Sequence, residues 1–161
     1  MFVLDSHCDT PSQIMRLRNL SVDNPYAHVD FPKLRAGGVD ASFFALYTPG
    51  TMSHDAATRY TLEMLAGIND AVEAAPDMAA LANSPEEAYR NKAAGKISVF
   101  VGMENGLPIQ GSLALLRQFY RVGVRYMTLT HNTDNQICDS AAEGHRWGGL
   151  SPFGRQVVAE M

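Results

Sequence analysis

The sequence predicts an α/β fold built on a parallel β-sheet. Four short apolar runs, at 2–4, 39–47, 97–101 and 124–129, alternate with longer stretches of helical periodicity, which is the pattern of βαβ units. Polar residues gather at the ends of these runs: His7 and Asp9 after the first, Glu104 after the third, His131 after the fourth. The chain has 161 residues, 46% of them apolar and 19% charged, which suits one domain with a sizeable core.

Each element follows from local chemistry. The run at 2–4 ends in a polar cluster over 5–10, residues 11–18 fit a short helix, and a Pro/Asn/Asp-rich loop follows at 19–32. Gly37-Gly38 punctuates the chain before the second run, and Pro49-Gly50 ends that run, because proline lacks an N–H and glycine frees φ. Ser53 is an N-cap for a helix over 54–75, in which Tyr60, Met64, Ile68 and Val72 recur every four residues until Pro76-Asp77 stops it. Ser84-Pro85-Glu86-Glu87 reads as a second helix start: serine as N-cap, proline at the first position, glutamate reaching back as a capping box. Gly95 closes that helix. The third run is β-branched and ends in Gly102-Met103-Glu104-Asn105-Gly106. A helix over 111–122 carries Leu113, Leu116, Phe119 and Tyr120 on one face, with Gly123 as its C-cap. The fourth run ends in Thr130-His131-Asn132, a glycine-rich polar loop covers 132–152, and a further helix begins at Phe153 and runs to Met161.

Composition excludes several function classes. Lys plus Arg number 13 and Asp plus Glu 17, a net charge of −4, which argues against a nucleic-acid or anionic-membrane binder. Two cysteines, Cys8 and Cys138, do not make a disulfide framework. No apolar run approaches the roughly 20 residues of a bilayer span, and the N-terminus as written has no basic stretch followed by a long apolar region. The expectation is a soluble, cytoplasmic protein with no membrane segment in this chain and no nucleic-acid partner. Walker A, G-x-G-x-x-G, G-x-S-x-G, H-E-x-x-H and C-x-x-C patterns are all missing, so nucleotide and serine-hydrolase chemistry have no support in the sequence.

In open α/β sheets and in β/α barrels the ligand site lies at the C-terminal ends of the strands, so the three polar clusters share one mouth. Side chains two apart on an extended strand share a face, so His7-Cys8-Asp9 aims an imidazole and a carboxylate the same way, a pairing suited to zinc or another first-row divalent ion. Cys8 then points to the opposite face and packs. The competing reading of His7-Cys8-Asp9 is a turn in which Asp9 caps the following helix. Glu104, between Gly102 and Gly106, reads either as a metal ligand or as a solvated loop glutamate; burial of its charge requires a cation, hydrogen bonds or water. His131 fits a ligand, a general acid or base, a donor to a developing oxyanion, or a structural histidine satisfied by loop carbonyls. His28, His54 and His145 read as surface residues.

Several segments together resemble the N-terminal half of the membrane (renal) dipeptidase family of zinc peptidases. They are Asp5-Ser6-His7-Cys8-Asp9-Thr10, Gly37-Gly38-Val39, Gly102-Met103-Glu104-Asn105-Gly106, the block from Leu115 to Asn132, and Gly149-Leu150-Ser151-Pro152-Phe153-Gly154. The resemblance implies a (β/α)8 TIM-type barrel, of which residues 1–161 supply roughly the first half of a single metallo-dependent hydrolase domain. It implies hydrolysis of a dipeptide substrate at a binuclear Zn2+ centre. There His7 and Asp9 match ligands of one zinc, Glu104 matches the carboxylate that bridges both, and His131 matches the histidine that contacts the substrate and stabilises the tetrahedral intermediate. A bridging water would attack the peptide carbonyl.

Relatives of that family continue for about as long again, and the helical pattern here is cut at 157–161 without a stop signal. The expectation is therefore a truncated form of a full enzyme, with at most one occupied metal site and little or no turnover by the 161-residue chain alone. A homodimer or a complementing C-terminal half are the partners this implies. Thr133 and Ile137 stand where relatives commonly carry Cys and Trp, which implies a changed pocket wall. The alternative function is a non-catalytic half-barrel binding or assembly protein that has lost hydrolysis. A barrel hydrolase for cyclic amides or phosphoesters is disfavoured because such enzymes usually carry H-x-H on the first strand.

Overall fold

Asp30, followed by Phe31 and Pro32, starts a helix at the end of the stretch, 19–32, where the sequence predicts a loop. A computed structural model describes residues 1–16, 18–142 and 144–161 of the chain. In order it contains β1 (Leu4–Cys8), α1 (Pro11–Ile14), α2 (Phe31–Ala36), β2 (Ala41–Tyr47), α3 (His54–Glu73), β3 (Ala79–Leu81), α4 (Pro85–Ala93) and β4 (Ile97–Glu104). A short 3₁₀ turn (Leu107–Ile109), α5 (Leu113–Arg121), β5 (Val124–Thr128) and α6 (Pro152–Glu160) complete it. The strand order is β1-β2-β4-β3, and β5 also pairs with β4. The pairs β1–β2 and β3–β4 are parallel, as the βαβ pattern predicts. No helix among the described residues is long and apolar enough to cross a membrane.

The chain forms two compact units. The first comprises Met1–Leu46 and Glu63–Gly102. Its core holds Phe31, Leu34, Phe44, Met64, Ile68, Ile97 and Val99, all buried. Phe43 stacks on Phe100 with ring centroids 4.9 Å apart. Met64, Ile68 and Val72 of α3 are buried as their spacing predicts. Helix α2 is capped by Asp30, which accepts from the Lys33 N–H at 2.8 Å and pairs with the Lys33 ammonium. Burial opposes ionisation of Asp30, but the bonds from Lys33 and from the Asn24 N–H hold its carboxyl below the ordinary value. In α4, Ser84 accepts from the Glu87 N–H as expected, while the Glu87 carboxylate reaches one residue further back, to the Asn83 N–H at 2.6 Å.

The second unit comprises Tyr47–Leu62 and Met103–Met161. Met103, Ile109, Phe119, Ile137 and Val157 are buried in it. Gly154 of α6 permits a close approach: a Cβ there would lie 2.0 Å from the carbonyl oxygen of Ile137. Tyr120 does not share the buried face with Phe119; it is exposed, and the Arg125 guanidinium lies over its ring at 4.4 Å.

Element ends differ from the sequence reading where polar residues keep ladder bonds. The first strand runs from Leu4 to Cys8 rather than over 2–4, because Asp5 pairs with Ser42 and accepts from its hydroxyl at 2.9 Å. The third long strand extends through Glu104, so Glu104 ends the strand instead of following it. The three-residue β3 is too short to show alternation and was not anticipated. The helix expected over 11–18 is observed as Pro11–Ile14; within that span Leu17 lies outside the described residues, as does Glu143 of the loop at 132–152.

Candidate metal centre

In the first unit, β1 sets the first candidate pair. Its register against β2 shifts between Asp5 and Cys8, and Asp5 accepts from the His7 N–H at 3.2 Å. Alternation along the strand turns Cys8 inward, where it is buried and its thiol donates to the Thr10 hydroxyl at 3.1 Å. His7 and Asp9 turn outward, with Nε2 of His7 3.3 Å from Oδ1 of Asp9 and their side chains 40% and 70% exposed. Two donors bonded at about 2.1 Å to one tetrahedral ion are about 3.4 Å apart, so this pair already has the spacing one divalent cation requires. Imidazole nitrogen and carboxylate oxygen also form a donor set that fits such an ion. The capping reading of Asp9 is not what is found. Helix α1 has Thr10 as N-cap with no side-chain bond, and Asp9 offers Ser12 its main-chain carbonyl.

In the second unit, Glu104 ends β4 half-buried, and its main-chain carbonyl accepts from the N–H of Thr48 at 3.2 Å. Asn105 then takes a left-handed conformation, φ +80°, with its side chain fully buried. Such a φ costs a non-glycine residue about 1–2 kcal/mol, least for asparagine, whose side chain bonds locally. Here Nδ2 of Asn105 donates to the Thr48 carbonyl at 2.9 Å, while its Oδ1 accepts from the Leu107 N–H at 3.2 Å and from Nδ2 of Asn135 at 3.1 Å. The sharp turn after Glu104 is thereby locked. At Gly106 a Cβ would meet Cδ1 of Ile137 at 2.3 Å and the Leu129 carbonyl oxygen at 2.9 Å, so the room this glycine leaves is taken by protein.

His131 lies three residues beyond β5. Its Nε2 stands 3.3 Å from Oε1 of Glu104, and the ring of Tyr47 meets it edge-on with centroids 5.0 Å apart. The imidazole therefore faces a carboxylate. Its own main-chain carbonyl accepts from the Ser140 hydroxyl at 2.8 Å.

The loop after His131 is organised by two polar side chains. Asn135 accepts from the N–H groups of Ile137 and Cys138 and donates to the Leu129 carbonyl. Asp139 accepts from the N–H groups of Trp147 and Gly149. Burial works to raise the Asp139 pKa, but the N–H groups of Gly149, Trp147 and Gly148 outweigh it and hold the carboxyl below its ordinary value. Burial pushes the Cys138 thiol up, with Asp139 and Asp134 adding to the effect, and both cysteines are buried and free. Ile137 is fully buried, its N–H bonded to Asn135 and its carbonyl to the Ser151 N–H. His28, His54 and His145 are exposed, as expected.

The expected residues thus form two pairs, His7 with Asp9 and Glu104 with His131. Tyr47 and Asn105 were not singled out from the sequence. An asparagine set directly between the candidate acid and a glycine was the available sign for Asn105, since asparagine is enriched at positive φ.

A sequence model of the membrane dipeptidase family, peptidase family M19, matches residues 1–161. Dipeptidase aclJ of Aspergillus oryzae is 34% identical over 161 residues, covering 93% of this chain and 38% of that protein. Dipeptidase ataJ of Aspergillus terreus is 32% identical, covering 96% of this chain and 41% of that protein. The probable dipeptidase PvdM from Pseudomonas aeruginosa superposes with a TM-score of 0.90 at 22% identity, over 99% of this chain and 44% of that one. A metallopeptidase from Rhodobacter sphaeroides, solved with a phosphinate mimic of the dipeptide L-Ala-D-Ala, gives 0.87 at 21% identity, over 99% and 55%. The fold is therefore α/β of the TIM-barrel type, with this chain supplying roughly the first half, and the chain spans about two fifths of the length of those curated relatives.

Proposed function

This chain belongs to the membrane dipeptidase family, peptidase family M19, and on that premise we propose that it carries the first-half metal ligands of a zinc-dependent dipeptidase. The family implies a metal cofactor; zinc, and the residues that hold it, are our reading. His7 and Asp9 would hold metal, Glu104 would supply a further carboxylate ligand, and His131 would serve the substrate. The observation that carries this reading is the 3.3 Å separation of the His7 and Asp9 donor atoms on an open strand end, which supports a shared divalent ion.

When bound, the metal supplies Lewis-acid polarisation of the peptide carbonyl and lowers the pKa of a water. The protein groups orient and hold. Asp5 fixes the backbone of His7, and Asn105 fixes the turn that follows Glu104. His131, braced by the Tyr47 ring, offers its Nε2 edge to the oxygen on which charge develops as the carbonyl becomes tetrahedral.

Dipeptide hydrolysis and zinc content measured together test the reading. The 161-residue chain alone is expected to hold about one zinc and turn over little. Mixing it with the C-terminal half of a family member is expected to raise hydrolysis. Chain that takes up no zinc, yet binds peptides or a partner protein, would support the non-catalytic alternative.

A further inference from the structure

Residues 24–27 of the first unit form a tight turn that their own chemistry favours, with Asn24 at its first position and Pro25 at its second. The Ala27 N–H donates to the Asn24 carbonyl at 2.9 Å and closes the turn, while the Asn24 side chain accepts from the Tyr26 N–H at 2.9 Å. The turn is anchored to the start of α2. Buried Asp30 accepts from the Asn24 N–H at 3.1 Å, and the Lys33 ammonium donates to the Asn24 carbonyl at 2.8 Å. Leu20 and Ala27 are buried, yet Tyr26, on the same fixed backbone, is 91% exposed. Single exposed aromatic side chains are common on protein surfaces and mean little alone. Tyr26 differs in its position, because it lines a cavity of about 490 Å³ that His7 and Asp9 also line. That size is ordinary for a small-molecule site. The charged lining is mixed, Asp5 and Asp9 with Arg18, so charge alone does not select the ligand. Among the described lining residues Tyr26 brings the largest ring.

We propose that Tyr26 is a specificity-determining residue whose ring packs against an aromatic side chain of a dipeptide lying in the cavity beside His7 and Asp9. Ring pairs in offset or edge-on contact gain more than burial of their area alone supplies. A tyrosine side chain turns about only two bonds, so fixing it against a ligand costs little conformational entropy, and here the backbone beneath it is already held. The proposal rests on the dipeptidase reading for its ligand class.

The test is NMR titration of the zinc-loaded chain with Phe-Gly, Leu-Gly and Ala-Gly, and with Gly-Phe, Gly-Leu and Gly-Ala. It is repeated on Tyr26→Phe and Tyr26→Ala, with zinc affinity and thermal melting measured on the same samples. In at least one of the two series the phenylalanine dipeptide is expected to bind about tenfold tighter than the alanine one and about threefold tighter than the leucine one, and to shift the ring resonances of Tyr26. Tyr26→Phe is expected to keep these ratios and Tyr26→Ala to bring the ratio of phenylalanine to leucine close to one. Because Tyr26 is exposed, neither substitution is expected to move the melt. Ratios close to one in both series of the parent, or ratios that survive Tyr26→Ala, overturn the ring contact; if zinc affinity is intact, the dipeptidase reading still stands. A Tyr26-dependent preference in protein that takes up no zinc supports the ring contact and counts against the dipeptidase reading.

Discussion

Nε2 of His131 lies 3.3 Å from Oε1 of Glu104, bringing together the residue that ends β4 and one three places beyond β5. The two have different expected roles, ligand for Glu104 and substrate contact for His131, and metal affinity separates them. Glu104→Gln is expected to weaken zinc binding by more than about a hundredfold, while His131→Ala leaves it near the parent value. Competition with a chelating dye gives both numbers, and equal losses in the two variants would show that His131 is itself a ligand.

Asn105 combines a left-handed backbone with three buried hydrogen bonds. Asn105→Ala strands the Thr48 carbonyl and the Leu107 N–H and keeps the strained φ. The expected cost is roughly 2–4 kcal/mol, read from denaturant unfolding. Asn105→Gly relieves the φ but loses the same bonds, so it is expected to fall between the parent and the alanine variant.

Gly154 faces the backbone of Ile137, which cannot swing aside as a side chain would. Gly154→Ala is therefore expected to destabilise the chain by about 2–3 kcal/mol through overpacking, despite alanine's better helix propensity. A thermal melt unchanged from the parent would contradict the close approach.

Acid sensitivity of the 132–152 loop follows from Asp139. Its carboxyl titrates lower in the folded chain than in the unfolded one. Its stabilising contribution is thus complete above the unfolded value of about 4 and is lost as pH falls through the lower folded value. Trp147, the one tryptophan of the sequence, donates its main-chain N–H to Asp139 and its indole N–H to the Asn135 carbonyl, so it reports on the loop. Its fluorescence is expected to hold steady from neutral pH down to about 4 and to change below that. Asp139→Asn is expected to remove this acid limb.

Local patterns carried much of the fold. The four-residue recurrence of Met64, Ile68 and Val72 marked α3, and the two-residue spacing of His7 and Asp9 already implied their shared direction. Strand ends differ from the local pattern where polar residues find partners across the sheet: Asp5 has the character of a breaker, yet it accepts from the Ser42 hydroxyl. The three residues of β3 and the six of α2 are too few for periodicity, although Asp30 with Pro32 was a capping signal for α2. Contacts such as Asn105 with Asn135, thirty residues apart, depend on how the strands are ordered, which local spacing does not encode. The roles of Glu104 and His131 were open on chemistry alone; the family resemblance separated them.

The central claim is that His7 and Asp9 hold one divalent ion. Crystals grown with zinc and measured at the zinc absorption edge address it most directly. The expected result is an anomalous peak bonded to Nε2 of His7 and to a carboxylate oxygen of Asp9, at about 2.0–2.2 Å each. Zinc bound elsewhere, with these two side chains left uncoordinated, would contradict it.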